Sequence, residues 1–106
     1  NGGNRNGTHV LTPETIERAR QTESDGKDLV LGGIHSKFGL GFMLGTEHVN
    51  MGPGAGSFGH GGAGGSLGFA DPDNKVSLGF VMNQMHPGIT AWKTATDVAD
   101  SVYSKI

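Results

Sequence analysis

Twenty of the 106 residues are glycine. The densest stretch, Phe58-Gly59-His60-Gly61-Gly62-Ala63-Gly64-Gly65-Ser66-Leu67-Gly68-Phe69-Ala70-Asp71-Pro72, leads directly into an alternating apolar pattern. Glycine raises the entropy cost of ordering a strand and leaves nothing to pack. A strand that retains so much of it needs bare backbone, for a tight bend or for something lying directly on it. His60 is the one ionisable side chain in the stretch before Asp71, so the segment is a candidate for function as well as for folding.

The other totals narrow the classes. A chain of 106 residues supports a single domain, and a hydrophobic content of 34% makes its core thin. Net charge is −2 with Lys and Arg scattered, which leaves no basic face for nucleic acid. The absence of cysteine excludes disulfide frameworks and thiol catalysis. No apolar run approaches the roughly 20 residues of a membrane span. Strand periodicity and an amphipathic C-terminal segment argue against disorder. The opening Asn1-Gly2-Gly3-Asn4-Arg5-Asn6-Gly7 has no initiator Met or signal pattern and reads as a surface loop cut open. The expectation is therefore that residues 1–106 are part of a longer domain.

Thr12-Pro13-Glu14 has helix-start chemistry: Thr12 caps, Pro13 suits the first helical position, and Glu14 and Glu17 complement the positive end of the dipole. Leu11 and Ile16 stand at staple spacing. This helix is expected to run to about Thr22, with Ile16, Ala19 and Arg20 inward. Glu23 to Lys27 reads as a loop. Phe38-Gly39-Leu40-Gly41-Phe42-Met43-Leu44 alternates with period two and predicts a strand. Gly45 to Gly56 reads as a second loop. Ser66 to Ala70 and Lys75 to Met82 form the arms of a hairpin around Asp71-Pro72-Asp73-Asn74. Trp92, Ala95, Thr96, Ala99, Val102, Tyr103 and Ile106 fall on one helical stripe, which is expected to pack on the sheet. The expected fold is α+β: about three antiparallel strands covered by a C-terminal helix.

Phe58 to Pro72, followed by Val76-Ser77-Leu78-Gly79-Phe80-Val81-Met82-Asn83-Gln84-Met85, resembles the C-terminal part of the serine β-lactamase-related family. That family includes class C β-lactamases, penicillin-binding proteins and related esterases. Leu11-Thr12-Pro13-Glu14-Thr15 and Phe38-Gly39-Leu40-Gly41-Phe42 are similar to its segments in the same order. The resemblance implies the last third or so of a family domain, acting on ester or amide bonds through an acyl-serine. The family divides its chemistry among Ser-x-x-Lys, Tyr-x-Asn and a Lys-Thr-Gly or His-x-Gly strand. The last corresponds to His60-Gly61-Gly62, and the resemblance makes the Ala63 N–H one donor of the oxyanion hole.

Other motif matches lack their structural context. Ser24-Asp25-Gly26-Lys27 reads Ser-x-x-Lys literally, but a Gly lies inside it, whereas the lysine must reach the serine across one helical turn. Tyr103 is the only tyrosine and begins Tyr103-Ser104-Lys105, so Tyr-x-Asn is absent. Gly64-Gly65-Ser66-Leu67-Gly68 matches a nucleophile elbow without the strand-to-helix turn that motif requires. Gly54-x-Gly56-x-x-Gly59 and Gly59-x-Gly61-x-x-Gly64 match the dinucleotide fingerprint, but neither opens a helix. His35, His48, His60 and His86 lack zinc-site spacing.

The expectation is a chain without metal or cofactor, supplying the wall His60, Gly61, Gly62 and Ala63. It lacks a nucleophile and a base and is inactive alone. Its partners are the missing N-terminal part of the same domain and a small ester or amide substrate. The alternative is a non-catalytic binding or oligomerisation module, and in either case uncovered sheet invites self-association.

Overall fold

The computed structural model describes residues 1–106, apart from the side chains of residues 89 and 90. A two-stranded hairpin, β1 (Asn4–Arg5) and β2 (Thr8–His9), precedes helix α1 (Pro13–Ala19). Six further strands follow: β3 (Ser24–Asp28), β4 (Ile34–Phe38), β5 (Met43–Leu44), β6 (Phe58–Gly61), β7 (Leu67–Asp71) and β8 (Val76–Phe80). A 3-10 turn at Ile89–Trp92 leads into helix α2 (Lys93–Tyr103). The six strands form one antiparallel sheet in sequence order, each paired with the next. The fold is α+β as expected, but with six strands where about three were expected.

Directly paired residues share a sheet face. The pairs Met43↔Gly59, Gly59↔Phe69 and Phe69↔Leu78, with Gly61↔Leu67 and Leu67↔Phe80, define the face that α2 covers. Met43, Val49, Met51, Leu67 and Phe69 pack there with Ala95 and Ala99. The two alanines are 0% exposed, and their spacing of four puts both on one helix stripe. Side chains this small let the helix axis approach the sheet. Each large apolar side chain buried in the cluster is worth about 1.5–3 kcal/mol. The helical stripe is correct at Trp92, Ala95, Ala99 and Tyr103, but Val102 and Ile106 lie at the surface.

Helix α1 starts as its sequence predicts: the Thr12 hydroxyl accepts from Thr15 N–H at 3.1 Å, and Pro13 opens the first turn. It ends at Ala19, short of Thr22. Leu40 N–H donates to the Ala19 carbonyl at 2.8 Å, where a Cβ on Gly39 would stand 2.1 Å from that oxygen. The helix end is thus tied to bare backbone at Gly39.

This contact overturns the continuous strand expected over 38–44. Gly39 to Phe42 form the turn between β4 and β5, and Gly41 has φ 79°. The alternation does not continue through the turn: Phe38 pairs with Met43 and shares its face, while Leu44 pairs with Lys37.

Glu23 to Lys27 is also corrected from loop to strand. β3 is largely exposed on both faces, so its sequence carries no apolar alternation. Backbone pairing to β4 defines it, and His35 reinforces that edge. The His35 ring bonds Asp25 at 2.6 Å through Nε2 and Glu47 at 3.0 Å through Nδ1. These bonds, Asp25's first, raise the His35 pKa above 6.5. A raised pKa contributes stability that is complete below 6.5 and lost as pH rises through the folded value. An imidazole shift titration is expected to give a His35 midpoint above 6.5, returning toward 6.5 in Asp25→Asn. A midpoint at or below 6.5 in the unmodified chain contradicts this arrangement.

Candidate functional site

Strand β6 carries His60 and Gly61 to its end, where the chain turns through Gly62-Ala63-Gly64-Gly65 into β7. Gly64 and Gly65 adopt φ 85° and 117°, which explains glycine at both. Gly62 N–H donates to Ser66 O at 2.7 Å, and His86 N–H donates to Gly64 O at 3.0 Å. The second bond fastens the turn to the segment after β8. Ala63 is exposed, and its N–H donates to no acceptor among the described residues.

Gly61 is buried beneath Trp92: a Cβ there would lie 2.5 Å from the indole Cε2. Trp92 Nε1–H donates to Gly62 O at 3.0 Å. The glycine pair thus receives an aromatic ring on one face and remains low enough for close approach.

His60 lies on the opposite face, in the row His60↔Gly68↔Gly79. Its Nδ1 stands 2.5 Å from Gly61 O, so Nδ1 carries a proton. Nε2 has no partner among the described residues and is left to meet a ligand. The ring centroid lies 5.8 Å from that of Phe38.

A cavity of about 910 Å³ opens along this wall. Residues 60 to 64 line it together with Leu31, Ile34, Met43, Met85 and Trp92 among others. The combination of an open backbone donor, a histidine and an apolar recess suits a small molecule with one polar reacting group.

Residues 3–100 match the family model described as Beta-lactamase. The chain belongs to the beta-lactamase family. A crystal structure of a novel penicillin-binding protein homolog from Caulobacter crescentus has the same fold, with TM-score 0.75 and 35% sequence identity over 91% of this chain. The chain spans 28% of that protein's length. No curated protein matches it.

Within this beta-lactamase-family chain, the four wall residues expected from the sequence, His60, Gly61, Gly62 and Ala63, are brought together around one strand end. The discounted motifs fall elsewhere. Ser24 and Lys27 lie on the extended strand β3, and Ser66 precedes β7 without a helix. Gly54 to Gly59 leads into β6, again without a helix. Tyr103 donates its hydroxyl to Asp71 at 2.7 Å. Met85 and His86 were not singled out as cavity residues. They follow the last strand with no periodic signal, and the His86 to Gly64 backbone bond and the Met85 side chain against Gly64 place them.

Proposed function

We propose that this chain forms one wall of the acyl-transfer site of a serine hydrolase acting on ester or amide bonds. The observation that carries this reading is the unpaired Ala63 N–H, placed just beyond His60 at the cavity rim. In the reaction a serine Oγ attacks the substrate carbonyl carbon while its proton passes to a base. The bond from that carbon to the leaving oxygen or nitrogen breaks, and the leaving group takes up a proton. Water then attacks the acyl-serine, releasing the acid and restoring the hydroxyl.

Both steps place negative charge on the carbonyl oxygen. Ala63 N–H is a fixed donor for it, and one such donor is worth about 3 kcal/mol. Gly61 and Gly62 let the acyl group lie close to the strand, and His60 Nε2 bonds the substrate or the catalytic hydroxyls. The nucleophile and base belong to the remainder of a longer domain, a reading that the match to 28% of the Caulobacter protein's length supports.

The 106-residue chain alone is expected to take no label from a fluorophosphonate or a penicillin. A longer polypeptide that also carries a helix-borne Ser-x-x-Lys and a Tyr-x-Asn is expected to be labelled at that serine. Labelling of any serine in the shorter chain would sink this division of roles, as would failure to label the longer one.

A further inference from the structure

We propose that the cavity beside Ala63 selects an uncharged, apolar acyl chain, so that its substrates are esters or amides of neutral acids and not carboxylate-bearing ones. This rests on the acyl-transfer reading of the same wall and adds what that wall selects. The lining contains no Lys, Arg, Asp or Glu among the described residues, and its only ionisable side chains are His60 and His86. Leu31, Ile34, Met43, Met85 and Trp92 supply apolar surface around it.

Three nearby cations are engaged elsewhere, and Lys27 on β3, which makes no ion pair among the described residues, does not line the cavity. Arg20 bonds Glu17 and the Gly56 carbonyl, Lys93 bonds Asp97, and Lys37 faces Asp25. A carboxylate lying against this wall loses water and meets no fixed positive charge from it, which is strongly unfavourable. An alkyl or aryl chain instead gains with each group it buries.

The same lining supplies both a polar donor and apolar surface. The free Ala63 N–H offers the carbonyl a donor, and Trp92 and Met85 bring apolar surface directly against Gly61 and Gly64 beside it. A volume of about 910 Å³ falls within the usual range for small-molecule sites. Met43 and Met85 add adaptable, polarizable surface suited to chains of differing length.

Trp92 is the sole tryptophan and lines the cavity, so its fluorescence reports occupancy without requiring a nucleophile. Titrating the 106-residue chain with hexanamide is expected to change Trp92 emission saturably. Adipamate, of the same length with a terminal carboxylate, is expected to bind at least about tenfold more weakly because its charge is desolvated without a partner. Met85 is 67% exposed, so Met85→Lys is compatible with folding. That variant is expected to strengthen adipamate and weaken hexanamide. Equal or tighter adipamate binding by the unmodified chain, no response to either ligand, or an unchanged preference in Met85→Lys overturns the proposal. Failure of the longer polypeptide to take a serine label would instead remove the acyl-transfer reading while leaving the Trp92 measurement intact.

Discussion

Gly59→Ala is expected to destabilise the chain by about 3 kcal/mol, at the upper end of what overpacking costs. A Cβ at Gly59 would stand 2.1 Å from Gly68 O, 2.6 Å from Phe69 Cα and 2.7 Å from Phe69 Cβ. Two of those atoms are backbone and the third is fixed to it, so no rotamer change relieves the clash. Strand β6 must move from β7, breaking the register that holds both His60 and the buried Phe69.

Gly68→Ala and Gly79→Ala provide the internal comparison. Both lie in the row beside His60, and a Cβ at either would meet nothing within 4 Å. Each is expected to be neutral or to stabilise by about 0.5 kcal/mol through lower unfolded-state entropy. Urea unfolding of the three variants tests the contrast. Equal midpoints for Gly59→Ala and Gly68→Ala would show that glycine at 59 is not required by strand approach.

The same contrast explains what could be read in advance. The hairpin of β7 and β8 was legible because Asp71-Pro72-Asp73-Asn74 is strong turn chemistry between alternating arms. Helix α2 was legible from Ala95 and Ala99 at spacing four. Glycine density marked the His60-Gly61-Gly62-Ala63 segment, and only the family resemblance suggested its proposed role as a wall. The partner pressing on each glycine could not be read: Trp92 against Gly61 and Ala19 against Gly39 come from distant segments.

β3 was missed because an edge strand with two wet faces has no hydrophobic period to detect. The expected strand across 38–44 fails because the alternation at Phe38, Leu40, Phe42 and Leu44 conceals a turn that puts Phe38 on the face of Met43 and not of Leu44. The role of Tyr103 was only half visible. Its ring fits the apolar stripe, but its hydroxyl is committed to an acid 32 residues away.

That acid carries the second large expectation: Asp71→Ala is expected to cost about 3 kcal/mol by leaving several donors unpaired around a buried position. Asp71 is 0% exposed. It accepts from Asp73 N–H at 3.1 Å, Asn74 N–H at 3.2 Å, Asn74 Nδ2 at 2.8 Å and Tyr103 OH at 2.7 Å. One carboxylate therefore closes the β7–β8 turn and fastens the end of α2 to it. Gly52 and Gly54 run beside this pair, and a Cβ on either would strike Tyr103 or Asp71. Tyr103→Phe keeps the packing and loses one charged hydrogen bond, for an expected cost of about 1.5–3 kcal/mol.

The pH dependence separates this network from simple packing. Burial pushes the Asp71 pKa up, but bonds from Tyr103, Asn74 and the Gly54 backbone outweigh it and hold the pKa below 3.8. A depressed carboxylate pKa contributes stability that is full above the unfolded value and lost as pH falls through the folded one. The gap between the unmodified chain and Asp71→Asn should therefore be constant near neutrality and shrink as pH falls below 3.8.

Burial, then the Asp71 bond and charge, raise the Tyr103 pKa above 10.0. This contribution has the opposite sign: it is complete below 10.0 and lost as pH rises toward the folded value. Denaturant unfolding from pH 2 to 11 should thus show a plateau that falls at both ends, with the alkaline fall absent in Tyr103→Phe, at about the pH where free tyrosine ionises. An alkaline fall that persists in Tyr103→Phe would place its origin outside this pair.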